Sequence, residues 1–187
     1  MERLLTLAEK AGFSQWGRLD MNALEVRKEV RDMCASDRCH IYGKSWSCPP
    51  ACGSLEQCGQ TMNRYQQGIL VQTTAQLEDE FDMEGLAQAQ KQHKSAFESL
   101  SRQVRAVYGD CLPLTAGTCT LCYKCTYPKK PCRFPQKRMF SMEAFGLLVS
   151  DVCVKSGLKY YYGPKTITYT SCILFDEKKG WTRYGNP

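Results

Sequence analysis

The stretch Gly117-Thr-Cys-Thr-Leu-Cys-Tyr-Lys-Cys-Thr-Tyr-Pro-Lys-Lys-Pro-Cys-Arg-Phe-Pro135 holds four of the twelve cysteines in this 187-residue chain. Cys119, Cys122, Cys125 and Cys132 follow the pattern C-x-x-C-x-x-C, with the fourth cysteine after six further residues. A tight loop of this spacing wraps three thiolates around one cubane cluster, and a looser arm brings the fourth. Zinc sites more often use two C-x-x-C pairs with a long spacer. The spacing therefore favours an iron–sulfur cluster over zinc in this loop, at about 117–135.

A second group of cysteines precedes this stretch, at about residues 34–58, with the spacing C-x4-C-x8-C-x3-C-x5-C. Gly43 and the pair Pro49-Pro50 indicate irregular backbone, whose exposed N–H groups can point at cluster sulfurs. Five cysteines exceed a four-ligand site by one. The predicted ligands are Cys34, Cys39, Cys48 and Cys52, with Cys58 as the alternative fourth ligand. His40 is interpreted as a hydrogen-bonding neighbour of the cysteines and not as a ligand.

The amino-acid composition indicates a globular protein with reduced cysteines. Hydrophobic residues make up 43% and charged residues 24%, as in ordinary globular domains. An even number of cysteines also fits a secreted disulfide scaffold, but residues 1–12 resemble a charged amphipathic helix and not a signal peptide. The cysteines also cluster in two loops, and no apolar run approaches the length of a membrane span. We therefore expect reduced thiols, a cytoplasmic location and no membrane association.

The formal net charge of +6 is modest, and thiolate-bound clusters lower it further. The two-lobed pattern of aromatic and basic residues typical of nucleic-acid binding is missing, so we expect no nucleic-acid partner. A basic stretch nevertheless surrounds Cys132, at Lys129, Lys130, Arg133, Lys137 and Arg138. It either attracts an acidic protein partner or offsets the charge of a cluster, and both interpretations stay open.

Hydrophobic periodicity and capping residues predict an α+β fold in one domain over residues 1–187. Helices are expected at about 4–12, 20–33, 54–65, 83–108 and 142–156, with Asp20 or Asn22 as the cap of the second. Strands are expected at about 13–19, 68–74, 111–115 and 166–175, which gives a small sheet of about four strands with flanking helices. Cys111, Cys153, Cys172 and His93 fall in these patterned segments and are predicted to lie in the core.

Several short motifs occur in a fixed order: Cys34-x4-Cys39, Tyr42-Gly-Lys44, Trp46-Ser-Cys-Pro-Pro50, the cysteine triplet with Arg133-x-Pro135, and Ser141-Met-Glu-Ala144. Together they resemble a prokaryotic family described as predicted metal-binding proteins with a domain of unknown function, number 2284. The resemblance spans about residues 25–175. It implies metal binding through these cysteines and supplies no activity, and Cys52 and Cys58 lie outside its motifs.

Two ligand sets on a short chain favour two four-iron four-sulfur clusters and electron transfer to or from a partner enzyme. The expected redox partner is a small protein such as an acidic ferredoxin or flavodoxin. One alternative is an enzyme whose first cluster has three cysteine ligands and an open iron, with Tyr42, Lys44, Ser45 and His40 nearby. Another is an interaction module in which zinc only stabilises the fold. The sequence predicts no oligomeric state.

Overall fold

A mixed sheet of five strands organises the described residues, 2–176, in this computed structural model. The strands are β1 (Gln15–Arg18), β2 (Gln67–Gln76), β3 (Cys111–Thr115), β4 (Phe140–Ser141) and β5 (Thr166–Phe175). Their order is β1-β2-β5-β3-β4, and only β3 and β4 are parallel. The α+β prediction is confirmed, and the additional strand is β4, whose two residues are too short to show a periodic pattern. The predicted single domain over 1–187 includes residues 1 and 177–187, which lie outside the described residues.

Helices pack against both faces of the sheet. They are α1 (Glu2–Lys10), α2 (Lys28–Ala35), α3 (Leu55–Met62), α4 (Met83–Tyr108) and α5 (Val149–Lys155). Side chains alternate along β2 and β5, so Ile69 and Ile173 lie with α1 and α4, whereas Leu70 and Leu174 lie with α3 and α5. All four are fully buried, and burying such a side chain stabilises the fold by about 1.5–3 kcal/mol.

The second helix begins later than predicted, at Lys28. Asp20 is a cap, as expected, but its side chain accepts a hydrogen bond from the backbone N–H of Asn22 and caps a short 3-10 turn at Met21–Ala23. Val26 then pairs with Leu147 in an isolated antiparallel bridge. This pairing holds the backbone extended just before α2, which explains the delayed start of the helix.

The predicted helix at 142–156 is divided into two pieces. A 3-10 turn at Glu143–Phe145 ends at Gly146, whose φ of +79° is left-handed, and α5 starts at Val149. The Ser141 hydroxyl accepts a hydrogen bond from the backbone N–H of Ala144 and so stabilises the start of this turn. The turn packs against α2 and brings its carbonyl groups to the first group of cysteines.

The two cysteine-rich segments lie in the connections around this framework. The first ligand loop, residues 34–58, begins in the last turn of α2 and ends in α3. The second ligand loop, residues 117–135, lies between β3 and β4. Within residues 2–176, none of the helices has both the length and the apolar character needed to span a lipid bilayer.

Candidate metal centres

The second ligand loop is anchored at its start by contacts with the core. The backbone N–H of Ala116 donates to the Ser171 hydroxyl at 2.8 Å, directly after β3. Lys94 on α4 donates from Nζ to the carbonyl oxygen of Thr118 at 2.9 Å. These two bonds fix the backbone that leads into Cys119.

The same loop folds back on itself through two hydrogen bonds. Thr126 Oγ1 donates to the carbonyl oxygen of Pro131 at 2.9 Å. Arg133 Nη1 donates to the carbonyl oxygen of Lys124, also at 2.9 Å. Both bonds bring the arm that carries the fourth cysteine back to the triplet. All four predicted ligands therefore line one small cavity of about 30 Å³: Cys119, Cys122, Cys125 and Cys132.

Hydrogen bonds directed at sulfur favour a thiolate at Cys125. Burial raises its pKa, but the backbone N–H groups of Tyr127 and Trp46 and the Ser45 hydroxyl outweigh burial and lower the pKa of Cys125. Trp46 and Ser45 belong to the first ligand loop, so the first loop helps to prepare a predicted ligand of the second. Donors of this kind also tune the potential of an iron–sulfur cluster.

A tight turn after α2 shapes the first ligand loop. Asp37 and His40 have left-handed φ values of 50° and 59°, which Asp and His adopt more readily than most residues. Asp37 Oδ1 accepts from the backbone N–H of Tyr42 at 2.8 Å, and Oδ2 accepts from Lys44 Nζ at 3.2 Å. These bonds lower the pKa of Asp37, with the Tyr42 N–H as the main cause. The turn returns the chain so that Cys39 approaches Cys34.

Three of the predicted ligands line a larger cavity of about 310 Å³: Cys34, Cys39 and Cys48. Arg38, Tyr42 and Glu143 also line this cavity. Burial raises the pKa of Cys48 to about 11 and raises the pKa of Cys34. Metal binding there has to displace protons from these thiols.

Cys52 and Cys58 lie beside this cavity and are not among the residues that line it. Cys52 Sγ donates to the carbonyl oxygen of Ala144 at 3.4 Å, and Arg31 Nη2 donates to Cys58 Sγ at 3.5 Å. A hydrogen bond from the Cys52 thiol, together with the Arg31 guanidinium, lowers the pKa of Cys58. Cys52 also stays close to Cys48, because its backbone N–H donates to the Cys48 carbonyl at 3.2 Å.

The two cavities are neighbours, joined through the buried Ser47. The backbone N–H of Cys119 donates to the Ser47 hydroxyl at 3.4 Å, and that hydroxyl lies 3.9 Å from Cys48 Sγ. A negative charge on Cys119 is one of the causes that raise the pKa of Cys48. Trp46 adds a second link, since its indole N–H donates to the carbonyl oxygen of Lys130 at 3.1 Å.

Neither histidine lines these two cavities. His40 is exposed, and its carbonyl oxygen accepts from Lys44 Nζ at 3.0 Å. His93 is completely buried, as predicted for a core residue. Tyr42 lines the first cavity, whereas Lys44 is held by Asp37.

Sequence reasoning missed two contributors to the first site. Arg31 donates to the carbonyl oxygens of Gly53 and Ala144 as well as to Cys58, so it holds the loop against the turn after β4. The carbonyl oxygen of Glu143 lies 3.9 Å from Cys34 Sγ. The only sequence signal for this turn was the motif Ser141-Met-Glu-Ala144, and an arginine within an amphipathic helix carries no signal of its own.

All twelve cysteines are free thiols, and all lie within the described residues. Within residues 2–176, no three Cys, His, Asp or Glu side chains are grouped closely enough to hold a single metal ion. The chemistry of the donor set still fits a thiolate-ligated metal group, because four thiols face one cavity and three face its neighbour.

Comparison with known proteins gives one result that bears on identity. Neither the curated proteins nor the solved structures contain a match to the chain. Residues 17–175 match the family described as "Predicted metal-binding protein (DUF2284)". This match covers most of the chain and includes both ligand loops and the whole sheet except the first two residues of β1. The protein therefore belongs to the DUF2284 family of predicted metal-binding proteins.

Proposed function

We propose that this protein binds two four-iron four-sulfur clusters and transfers electrons to or from a partner enzyme. The observation that carries the proposal is the pair of adjacent cysteine-lined cavities, four thiols in one and three in the other. The ferredoxin-like spacing of the second loop favours iron–sulfur over zinc. When bound, such clusters supply one-electron redox chemistry.

Each ligand loop supplies one set of proposed ligands. The second cluster is assigned to Cys119, Cys122, Cys125 and Cys132. The first is assigned to Cys34, Cys39, Cys48 and Cys52, with Cys58 as the alternative to Cys52. The backbone bond between Cys52 and Cys48 supports Cys52, because it keeps Cys52 within one turn of a cysteine that lines the cavity. Hydrogen bonds from Arg31 and from the backbone around Cys125 would tune the two clusters differently.

The proposed function also requires a reducing environment. Oxidising compartments convert closely spaced cysteines to disulfides, whereas the cytosol keeps them reduced. Cytoplasmic location is therefore part of the proposal, together with a protein redox partner and no role for nucleic acid or membrane.

Metal analysis of anaerobically purified protein tests this function. Iron, zinc and acid-labile sulfide should be measured per chain, with visible and EPR spectra before and after dithionite. We expect about eight irons with matching sulfide and a signal that appears on reduction. About four irons would mean that one loop holds no cluster. Zinc without iron, retained during anaerobic iron reconstitution, would reject the proposal and leave a zinc-stabilised module.

A second candidate function is favoured by the size of the first cavity, about 310 Å³ against about 30 Å³ for the second. A cluster held there by only three cysteines would leave one iron open to a small ligand, which is the feature that distinguishes catalytic metal sites. Tyr42, Arg38 and Glu143 would then be the polar groups around that ligand.

Separate substitutions Cys52→Ser and Cys58→Ser decide between these two functions. If neither variant changes the iron content or the spectrum, the first cluster has three cysteine ligands, and this result supports the enzymatic function with an open iron. If one variant loses about four irons, that cysteine is the fourth ligand and the electron-transfer function stands. Cys48→Ser provides the comparison, because Cys48 lies in the cavity lining and should be needed in either case.

A further inference from the structure

The positive charge of the chain is concentrated in one segment. Residues 111–142 contain six lysines and arginines and no aspartate or glutamate, whereas the whole chain has 25 basic and 19 acidic residues. The rest of the chain therefore has 19 of each, and its formal charge is zero. The six are Lys124, Lys129, Lys130, Arg133, Lys137 and Arg138. This segment contains the second ligand loop, so the entire formal surplus of +6 surrounds that site.

Most of this charge faces solvent and is not neutralised by carboxylates. Lys124, Lys129, Lys130 and Arg133 are exposed. Among the ion pairs found within residues 2–176, none involves a basic residue of this segment. Arg133 donates to a backbone carbonyl, so no carboxylate of the described residues neutralises it. A patch of like charge on an exposed loop raises the local concentration of anionic partners.

Two exposed aromatic side chains lie in the same loop. Tyr123 is fully exposed, at 110% of its reference area, and Phe134 is 41% exposed. Tyr123 lies between Cys122 and Lys124, and Phe134 is two residues from Cys132. Aromatic residues are enriched in protein interfaces, where they supply contact area inside a polar rim. Both lie directly beside proposed ligands of the second cluster.

We propose that this basic–aromatic face, formed by Tyr123, Lys124, Lys129, Lys130, Arg133 and Phe134, is the docking surface for a small acidic electron-transfer protein. The inference rests on the proposed function, because it makes the second cluster the one that exchanges electrons with the partner. The ligand loop itself forms the face, so a docked partner would be separated from the cluster by only the loop's own residues. Complexes between redox proteins are small and rely on complementary charge for fast encounter.

A charge-neutralising variant tests the surface. Lys129→Gln/Lys130→Gln removes two positive charges and leaves Arg133, which holds the loop through Lys124, unchanged. Lys155→Gln/Lys159→Gln is the matched control, since both lysines are exposed and lie in and after α5, outside the basic segment. The probe is a reduced plant-type ferredoxin of net negative charge, mixed anaerobically with the oxidised holoprotein at low and at high salt.

We expect the wild-type reduction rate to fall as salt increases, because salt screens exposed charges. The Lys129/Lys130 variant should react about threefold to tenfold more slowly at low salt and show a weaker salt dependence. The control variant should match wild type. Tyr123→Ala should slow the reaction without changing the salt dependence, because it removes contact area and no charge.

Other results would overturn the inference in distinguishable ways. Iron content and the EPR signal are measured on every sample, and their absence in wild type rejects the proposed function itself. If the clusters are intact but the rate of reduction by ferredoxin depends neither on salt nor on the Lys129/Lys130 substitution, only the docking surface is rejected. Binding of a DNA or RNA duplex that depends on these lysines, with an unchanged ferredoxin rate, would assign the face to nucleic acid instead.

Discussion

His93 connects the core of the sheet to the second ligand loop. It is fully buried, with Nδ1 2.9 Å from Thr73 Oγ1 and Nε2 2.7 Å from Ser171 Oγ. The same Ser171 hydroxyl accepts the backbone N–H of Ala116, the residue before the second ligand loop. Burial, with a smaller contribution from the charge of Lys94, lowers the pKa of His93 to about 4. The side chain is therefore neutral in the folded protein at physiological pH.

This burial makes stability depend on pH. An unfolded histidine has a pKa of about 6.5, so the unfolded chain binds a proton on His93 at a higher pH than the folded chain does. The contribution of neutral His93 to the free energy of unfolding is fully present above pH 6.5 and is lost as the pH falls towards 4. Between pH 7.5 and 5 we expect the free energy of unfolding to decrease by about 2 kcal/mol through this residue. His93→Gln should remove that decrease, as measured by urea denaturation at both pH values.

The wild-type protein and the variant are compared at each pH, so that other titrating groups cancel. Iron content is checked at both pH values, because loss of clusters in acid would also reduce stability. Equal pH dependence in the two proteins would mean that His93 binds its proton as readily in the folded state as in the unfolded state.

The twelve cysteines show how far sequence reasoning reaches at the level of single residues. Cys111, Cys153 and Cys172 were assigned to the core because they lie in patterned segments, and all three are buried. The sequence predicts Cys52 as the fourth ligand of the first site, with Cys58 as the alternative. Their environment depends on Arg31 and Ala144, and Ala144 is distant in sequence and reaches them only through the fold. Local spacing carries no information about such contacts.

The sequence also predicts the helix ends that neighbouring residues determine, but not those that depend on residues distant in sequence. The α3 terminus was predictable from Ser54, and the structure completes a capping box in which Ser54 and Gln57 bond each other's backbone N–H groups. Helix α4 likewise covers the predicted residues 83–108 and ends at Gly109. The errors at 20–33 and 142–156 share one cause, the bridge between Val26 and Leu147, which joins segments about 120 residues apart.

Gly146 and Gly157 form a matched pair for testing the turn beside the first ligand loop. Their φ values are +79° and +77°, so a left-handed backbone strains an alanine at either position. An added Cβ at Gly146 would lie 2.5 Å from Leu55 Cδ2, whereas at Gly157 it would meet no atom of residues 2–176 within 4 Å. The difference between the two substitutions therefore isolates the effect of close packing.

We expect Gly157→Ala to lower the free energy of unfolding by about 1 kcal/mol, from the left-handed backbone alone. Gly146→Ala should cost about 0.5–1.5 kcal/mol more, because the Leu55 side chain has to leave its present rotamer to make room for the new Cβ. Urea denaturation of both variants measures the difference. Equal costs would show that Leu55 adjusts freely and that the packing of α3 on the turn is loose.

At the scale of the whole molecule, the fold brings two distant ligand loops into contact. Trp46 from the first loop packs its ring edge-on against Tyr127 of the second, with ring centroids 4.9 Å apart. Ser47 accepts the backbone N–H of Cys119 and is followed in sequence by Cys48. Sequence patterns predicted both loops but not this contact, because the sheet order that creates it depends on long-range pairing.

The contact predicts that two bound clusters would interact magnetically. Two paramagnetic centres broaden or split each other's EPR signals when they are close. Here the Ser47 hydroxyl contacts a proposed ligand of each cluster, the Cys48 sulfur and the backbone N–H of Cys119. We expect the fully reduced protein to give a spectrum that differs from the sum of its two clusters measured alone. Cys125→Ser and Cys48→Ser, each designed to remove one cluster, provide those separate spectra. A wild-type spectrum equal to their sum would show that the clusters are too far apart to exchange electrons efficiently. The second cluster would then exchange electrons with the partner protein without the first cluster taking part.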